Sequence, residues 1–221
     1  MKIIFKYDLK MEWENYIRIR ASINHPEKPV SKFEIMATEV GVDVSDKKQV
    51  LDYYKKRTDN YNIDIEKVIK DFQIKWDKIA DEVESRNIKL FNTRLDLGNI
   101  TAYLTIRDRC AYNIQLKYFF VCMCTDHSDR TSMHEFQHFY THMLIYPKLE
   151  NAGLNNQEQN DFKEALTFLL NIEFKDLMGD AVDEGYTKQI KIRSKFEQLW
   201  QKHPSIEFLT QYYINHLKDF T

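Results

Sequence analysis

The spacing of apolar residues divides the chain near residue 88. Before that point apolar side chains recur every three or four residues, a spacing typical of helices that pack one face against a core. Asp64 is a suitable cap for the clearest of these helices, and Ser31 with Glu34 forms a capping box before a helix that Gly41 would end. Residues 1–87 are therefore predicted to be helical. The clearest apolar stripe comprises Ile65, Val68, Ile69, Phe72, Trp76, Ile79, Ala80 and Val83.

Beyond residue 88 the pattern changes to short runs that are rich in Ile, Leu, Tyr and Thr. Segments 88–95 and 100–107 flank a turn at residues 96–99, and residues 114–124 alternate between two faces. These runs predict a small antiparallel sheet of about three strands.

The rest of the chain returns to helical spacing. One helix begins at Ser128 or Asp129 and ends before Pro147, and a second runs from about 157 to 178. A third starts near Asp183, and Ser205 caps a last helix that ends near Lys218. The predicted fold class is α+β, in which N-terminal helices precede a small sheet and further helices follow it. We expect residues 1–221 to form a single compact unit, with the helical region 1–87 covering the region 88–221.

Composition and charge exclude several classes of function. The formal net charge is −2, and basic residues are interspersed with acidic ones, so the one-sided basic surface of a nucleic-acid-binding protein is missing. No apolar run is long enough to span a membrane, and Asp8, Lys10 and Glu12 interrupt the segment where a signal peptide would be apolar. The three cysteines, Cys110, Cys122 and Cys124, do not indicate a disulfide framework. We therefore expect a cytoplasmic protein that binds neither nucleic acid nor membranes.

The most informative motif is the run His134-Glu135-Phe136-Gln137-His138, which falls on the helix predicted from residue 128. Positions i and i+4 of a helix share one face, so both imidazoles can reach one metal ion. Glu135 lies beside them, where it can take a proton from a water molecule activated by that ion. The spacing thus predicts a catalytic zinc site with His134 and His138 as ligands and Glu135 as general base.

A catalytic zinc needs a third protein ligand from elsewhere in the chain. His142 continues the same stripe, but eight residues of helix rise about 12 Å, which is too far for three rings to share one ion. Glu164 flanks the apolar stripe of the next predicted helix and is the favoured ligand, whereas Asp161 and Glu173 are the alternatives.

Residues 131–140 resemble the extended motif of the zincin metallopeptidases. Because a Glu follows on the next helix, the chain is most similar to small single-domain gluzincins. The resemblance covers about residues 114–175 and implies a zincin-like catalytic region, 88–221, which binds Zn²⁺ and hydrolyses a peptide or protein substrate. It also implies that an edge strand of the upstream sheet binds the substrate backbone. The family's Asn and Asp around the third ligand are Lys163 and Phe168 here, so the residue that orients His134 is not assigned.

Other interpretations of these residues remain open. A donor for the transition-state oxyanion is expected opposite Glu135, and Tyr186 is the first candidate, followed by His127. Cys122, Cys124 and His127 have a spacing that could bind metal, but buried thiols in strands are common. The alternative function is a non-catalytic metal-binding or protein-interaction domain with a degenerate zincin fold.

Overall fold

The fold is α+β, with a small mixed sheet and many helices. The computed structural model describes residues 2–22, 32–107 and 111–220. Contacts within the chain group its residues into a first unit, Met1–Lys78 with Leu97–Ser132, and a second unit, Ile79–Asp96 with Met133–Thr221. This grouping does not follow the division that the sequence pattern suggests near residue 88. Ser31 of the predicted capping box and Cys110 lie outside the described residues.

The first unit contains the sheet, whose strand order is β1-β2-β4-β3. Strand β1 pairs in parallel with β2, β2 pairs in parallel with β4, and β3 is antiparallel to β4. The strands are β1 (Lys2–Lys6), β2 (Asn99–Thr105), β3 (Tyr112–Asn113) and β4 (Tyr118–Cys122). The helices are α1 (Leu9–Ser22), α2 (Lys32–Glu39), α3 (Lys47–Asn60) and α4 (Ile65–Asp77).

The sheet is mixed and not antiparallel throughout, because only β3 and β4 pair in antiparallel fashion. Of the three predicted strands one is absent, and β1 and β3 are not predicted from the sequence. Residues 2–6, expected to be helical, form β1, and a long helical connection separates it from β2, as parallel pairing requires. Residues 118–121 of β4 are all buried, so both faces of this strand are covered and the expected alternation is absent.

The segment 88–95 is not a strand, because its first half completes helix α5 (Ala80–Phe91) and the rest forms no strand. Asn92 ends this helix in the left-handed region, with φ of 50°. The long apolar stripe after Asp64 is therefore shared by two helices, α4 and α5. Asp64 caps α4 as predicted, since its side chain accepts a hydrogen bond from the backbone N–H of Lys67.

Helix α6 (Ser128–Leu144) carries the metal motif, and it is followed by shorter helices. The predicted helix 157–178 is broken into three helices, and Ser205 caps the last α-helix as predicted through the N–H of Phe208. The later helices are α7 (Tyr146–Asn151), α8 (Asn156–Leu166), α9 (Leu169–Glu173), α10 (Lys175–Met178), α11 (Ile190–Trp200) and α12 (Ile206–Asn215). The short 3₁₀ helices are Thr187–Gln189 and Leu217–Asp219.

An aromatic cluster holds α8, α11 and α12 together within the second unit. The ring of Phe162 on α8 lies 5.3 Å from that of Phe196 on α11 and 5.3 Å from that of Tyr213 on α12, measured between centroids. All three side chains are buried. This cluster fixes the orientation of α8, the helix that bears Glu164.

Two further properties concern the described residues of both units. Among residues 2–22, 32–107 and 111–220, no helix combines the length and the apolar character needed to cross a membrane. Cys122 and Cys124 form no disulfide within these residues.

Candidate metal centre

Helix α6 presents His134 and His138 side by side. Their ring centroids are 4.4 Å apart, as expected for residues one helical turn apart on the same face. The helix is anchored by Met133, Phe136 and Phe139, which are all fully buried. Both imidazoles therefore project from a helix that has other side chains packed in the core.

Helix α8 brings Glu164 to the two histidines. A capping box formed by Asn155 and Glu158 starts this helix. Glu164 Oε2 lies 3.7 Å from His134 Nε2 and 3.5 Å from His138 Nε2. One ligand atom from each of these three residues lies within 4.8 Å of the others.

These distances fit a tetrahedral metal ion. With metal–ligand bonds of about 2.0–2.2 Å, two ligand atoms in tetrahedral geometry lie about 3.4 Å apart. The two separations from Glu164 Oε2, 3.5 and 3.7 Å, are close to that value. Within the described part of the chain, no other group of at least three His, Cys, Asp or Glu side chains is arranged to hold a metal ion. The group thus offers three ligands, which leaves a fourth coordination position for a small molecule.

His134 is oriented by Asp183, a residue of the non-helical segment that follows α10. Asp183 Oδ2 lies 2.9 Å from His134 Nδ1, so Nε2 faces Glu164. The other carboxylate oxygen, Oδ1, accepts hydrogen bonds from Thr167 Oγ1 and Arg193 Nη1, each at 2.9 Å. The backbone of Asp183 is held by the side chain of Asn171, which pairs with both its N–H and its carbonyl. This is the carboxylate–histidine arrangement that usually fixes a metal-binding imidazole.

Gly185 allows this segment to pass close to Arg193. Its φ is +65°, and a Cβ at this position would lie 2.9 Å from Arg193 Nη1. The buried guanidinium also donates a hydrogen bond to the carbonyl of Asp183. A side chain at position 185 would therefore compete for space with the group that holds Asp183 in place.

Glu135 follows His134 on α6 and lies close to the three candidate ligands. Its side chain is buried, and no described residue donates a hydrogen bond to its Oε2. Burial raises the pKa of this carboxyl to about 7, against the opposing charges of His134 and Lys163. A carboxylate whose pKa lies near neutrality is well suited to accept and release a proton.

The charges of the site are coupled through the two imidazoles. Burial acts to lower the pKa of His134, but Asp183 and Glu164 outweigh it and raise that pKa to about 10. Burial lowers the pKa of His138 well below its usual value. Burial acts to raise the pKa of Glu164, yet the neighbouring imidazoles of His134 and His138 hold it far below its ordinary value. The arrangement therefore favours positive charge between the histidines and Glu164, as a cation site requires.

The other candidates for the third metal ligand make different contacts. Asp161 accepts hydrogen bonds from Gln157 and Gln189, and Glu173 accepts one from Trp200 Nε1. His142 packs against Tyr146, with ring centroids 3.9 Å apart. None of the three belongs to the group of side chains that could hold a metal ion.

Tyr186 lies near the site but largely in solvent, with 61% of its surface exposed. Partial desolvation raises the pKa of its hydroxyl, and the negative charges of Glu164 and Glu135 raise it further. The phenol is therefore within electrostatic range of both carboxylates. Its role as the oxyanion donor stays a prediction. His127, the other candidate, is exposed and belongs to the first unit.

Three residues of the site were not assigned from the sequence, namely Asp183, Arg193 and Lys163. The sequence predicts Asp183 only as the start of a helix, whereas it lies in a non-helical segment and contacts His134 Nδ1. Lys163 was noted only as a departure from that motif, yet its Nζ lies 2.6 Å from Glu164 Oε1. No local pattern marks Arg193, because its partners are distant in sequence. Comparison of the chain with known protein families, with curated proteins and with solved structures gives no significant match.

Proposed function

We propose that this protein is a zinc-dependent metallopeptidase of the zincin type, similar to small gluzincins, that acts on a peptide or protein substrate. The observation that carries the proposal is the convergence of His134, His138 and Glu164, with Glu164 Oε2 at 3.5 and 3.7 Å from the two Nε2 atoms. Two imidazoles and one carboxylate are a ligand set that suits a catalytic zinc, whereas a structural zinc has four protein ligands.

Each residue would have a distinct task in peptide hydrolysis. His134, His138 and Glu164 would hold the ion, and Asp183 would keep His134 in the tautomer whose Nε2 is free to bind it. Zinc in this position supplies Lewis acidity, which lowers the pKa of a water molecule and polarises the peptide carbonyl. Glu135 would take the proton of the attacking water and transfer it to the leaving amine. Tyr186 would donate a hydrogen bond to the developing oxyanion.

The proposal includes a cytoplasmic location.

A Glu135→Gln variant tests the proposal. The purified protein is loaded with zinc, its metal content is measured by mass spectrometry, and cleavage of a peptide library is followed. We expect Glu135→Gln to retain zinc and to lose about 10²–10⁴-fold in turnover, because the general base is removed while the ligands remain. Glu150→Gln, at an exposed position of α7, is the matched control and should behave as the wild type.

Two outcomes would contradict the peptidase proposal. If the wild type binds zinc but cleaves no member of the library, the chain is a non-catalytic metal-binding domain. A wild type that binds no zinc would refute the metal centre as well.

A further inference from the structure

Lys163 is a buried cation that has no role in the proposed peptide hydrolysis. Its side chain is only 1% exposed, although lysines are almost never fully buried unless they are paired. Its Nζ lies 2.6 Å from Glu164 Oε1. The ammonium is therefore directed at one oxygen of a proposed metal ligand.

This contact divides the two oxygens of Glu164 between two cations. Oε1 is bound by Lys163, whereas Oε2 faces the Nε2 atoms of both histidines. A carboxylate can bind a metal ion through one oxygen or through both. With an ammonium at Oε1, only Oε2 remains for the ion.

The position of Lys163 on α8 argues against a chance contact. Consecutive residues of a helix do not face each other, so Lys163 has to direct its Nζ around the helix to reach Glu164. Its neighbours Phe162, Ala165 and Leu166 are all fully buried. A salt bridge on an exposed helix face forms easily, but this one requires an ammonium to be held inside the protein.

The ammonium also balances charge around the site. Glu135, Glu164 and Asp183 bring three carboxyl groups close to the histidines. Arg193 pairs with Asp183 at 2.9 Å, and Lys163 pairs with Glu164. The two inner carboxylates that bind or orient ligands are thus each matched with a buried cation, whereas Glu135 has no such ion pair among the described residues.

We propose that Lys163 is a positioning residue that restricts Glu164 to binding the metal ion through one oxygen, so that one coordination position stays open. The inference rests on the metal site of the proposed function, but it does not depend on peptide hydrolysis. Removing the ammonium should free Oε1 to bind the ion, which would raise the coordination number by one.

Cobalt substitution tests this directly, because the visible bands of four-coordinate Co²⁺ are several-fold stronger than those of five-coordinate Co²⁺. We expect the Co²⁺ form of the wild type to show strong bands and Lys163→Met, which keeps the volume but loses the charge, to show bands several-fold weaker. Lys163→Arg retains a donor for Oε1 and should resemble the wild type. Lys175→Met, at an exposed position of α10, is the matched control and should leave the spectrum unchanged.

Unchanged band intensity in Lys163→Met would overturn the inference, and so would weak, five-coordinate bands in the wild type. If Lys163→Met does not fold, the spectra of the wild type and of Lys163→Arg still decide, because both must show strong bands. A wild type that takes up no Co²⁺ and no Zn²⁺ refutes the metal site itself. A wild type that binds metal but hydrolyses no peptide refutes only the peptidase proposal and leaves this test valid.

Discussion

Replacing Asp183 by Asn should weaken metal binding by reversing the tautomer of His134. Arg193 Nη1 and Thr167 Oγ1 both donate to Oδ1, so an Asn at this position would keep its oxygen there. Its amide NH₂ would then face His134 Nδ1. In the wild type, the tautomer that binds metal through Nε2 carries its proton on Nδ1 and donates it to Asp183 Oδ2 across 2.9 Å. Nδ1 would have to become an acceptor, and the proton would move to Nε2, the atom that must bind the ion.

The expected magnitude follows from comparable metal sites. Loss of a carboxylate that orients a metal-binding histidine typically costs about 10–100-fold in affinity, or about 1.4–2.7 kcal/mol. The zinc affinity of the wild type and of Asp183→Asn can be compared by competition with a chromogenic chelator. Asp176→Asn is the control, because Asp176 is an exposed partner of Arg86 and contacts no ligand of the site.

A folded Asp183→Asn protein that binds zinc within about twofold of the wild type would refute this reasoning, because a reversed tautomer must cost at least about tenfold. The same would hold if Asp176→Asn weakened zinc binding to the same extent. Circular dichroism of the metal-free proteins would show whether the variant is folded.

Two further predictions concern stability. Burial raises the pKa of Glu12 from 4.5 to about 7, so its contribution to stability is complete below pH 4.5 and is lost as the pH rises through 7. At about 1.4 kcal/mol per pKa unit, the loss of stability is about 3 kcal/mol. The melting temperature of the wild type should therefore fall relative to that of Glu12→Gln between pH 5 and 8. Melting temperatures of the two proteins that change in parallel with pH would contradict this. Phe162→Ala removes the ring that packs between Phe196 and Tyr213 and should lower the free energy of unfolding by about 3–5 kcal/mol. Denaturant curves that coincide with those of the wild type would show that the cluster does not anchor α8.

The juxtaposition of His134 and His138 could be predicted from the sequence because its information is local. A helix places residues i and i+4 on one face, so His134 and His138 needed only a correctly predicted helix. Glu164 could be selected because it flanks an apolar stripe on the next helix. The caps at Asp64 and Ser205 were predictable for the same reason, since each involves residues only three positions apart.

The sheet and the surroundings of the ligands depend on contacts between distant residues. Strand β1 is a run of five residues whose partner, β2, lies more than 90 residues later, and no local pattern reveals parallel pairing over such a distance. The apolar residues of 88–95 predict a strand, although the apolar stripe of α5 continues into this segment. Asp183 and Arg193 act on His134 across separations that spacing along the chain does not encode.

The close approach of Gly185 to Arg193 has a consequence for how this protein tolerates sequence variation. Gly185 contacts no proposed ligand, yet an L-residue there would be strained at φ of +65° and would crowd the guanidinium that braces Asp183. A substitution at this glycine would be transmitted through two side chains to the imidazole of His134. A mutation at position 185, which lies outside the proposed ligand set, would thus be observed as a defect in metal retention.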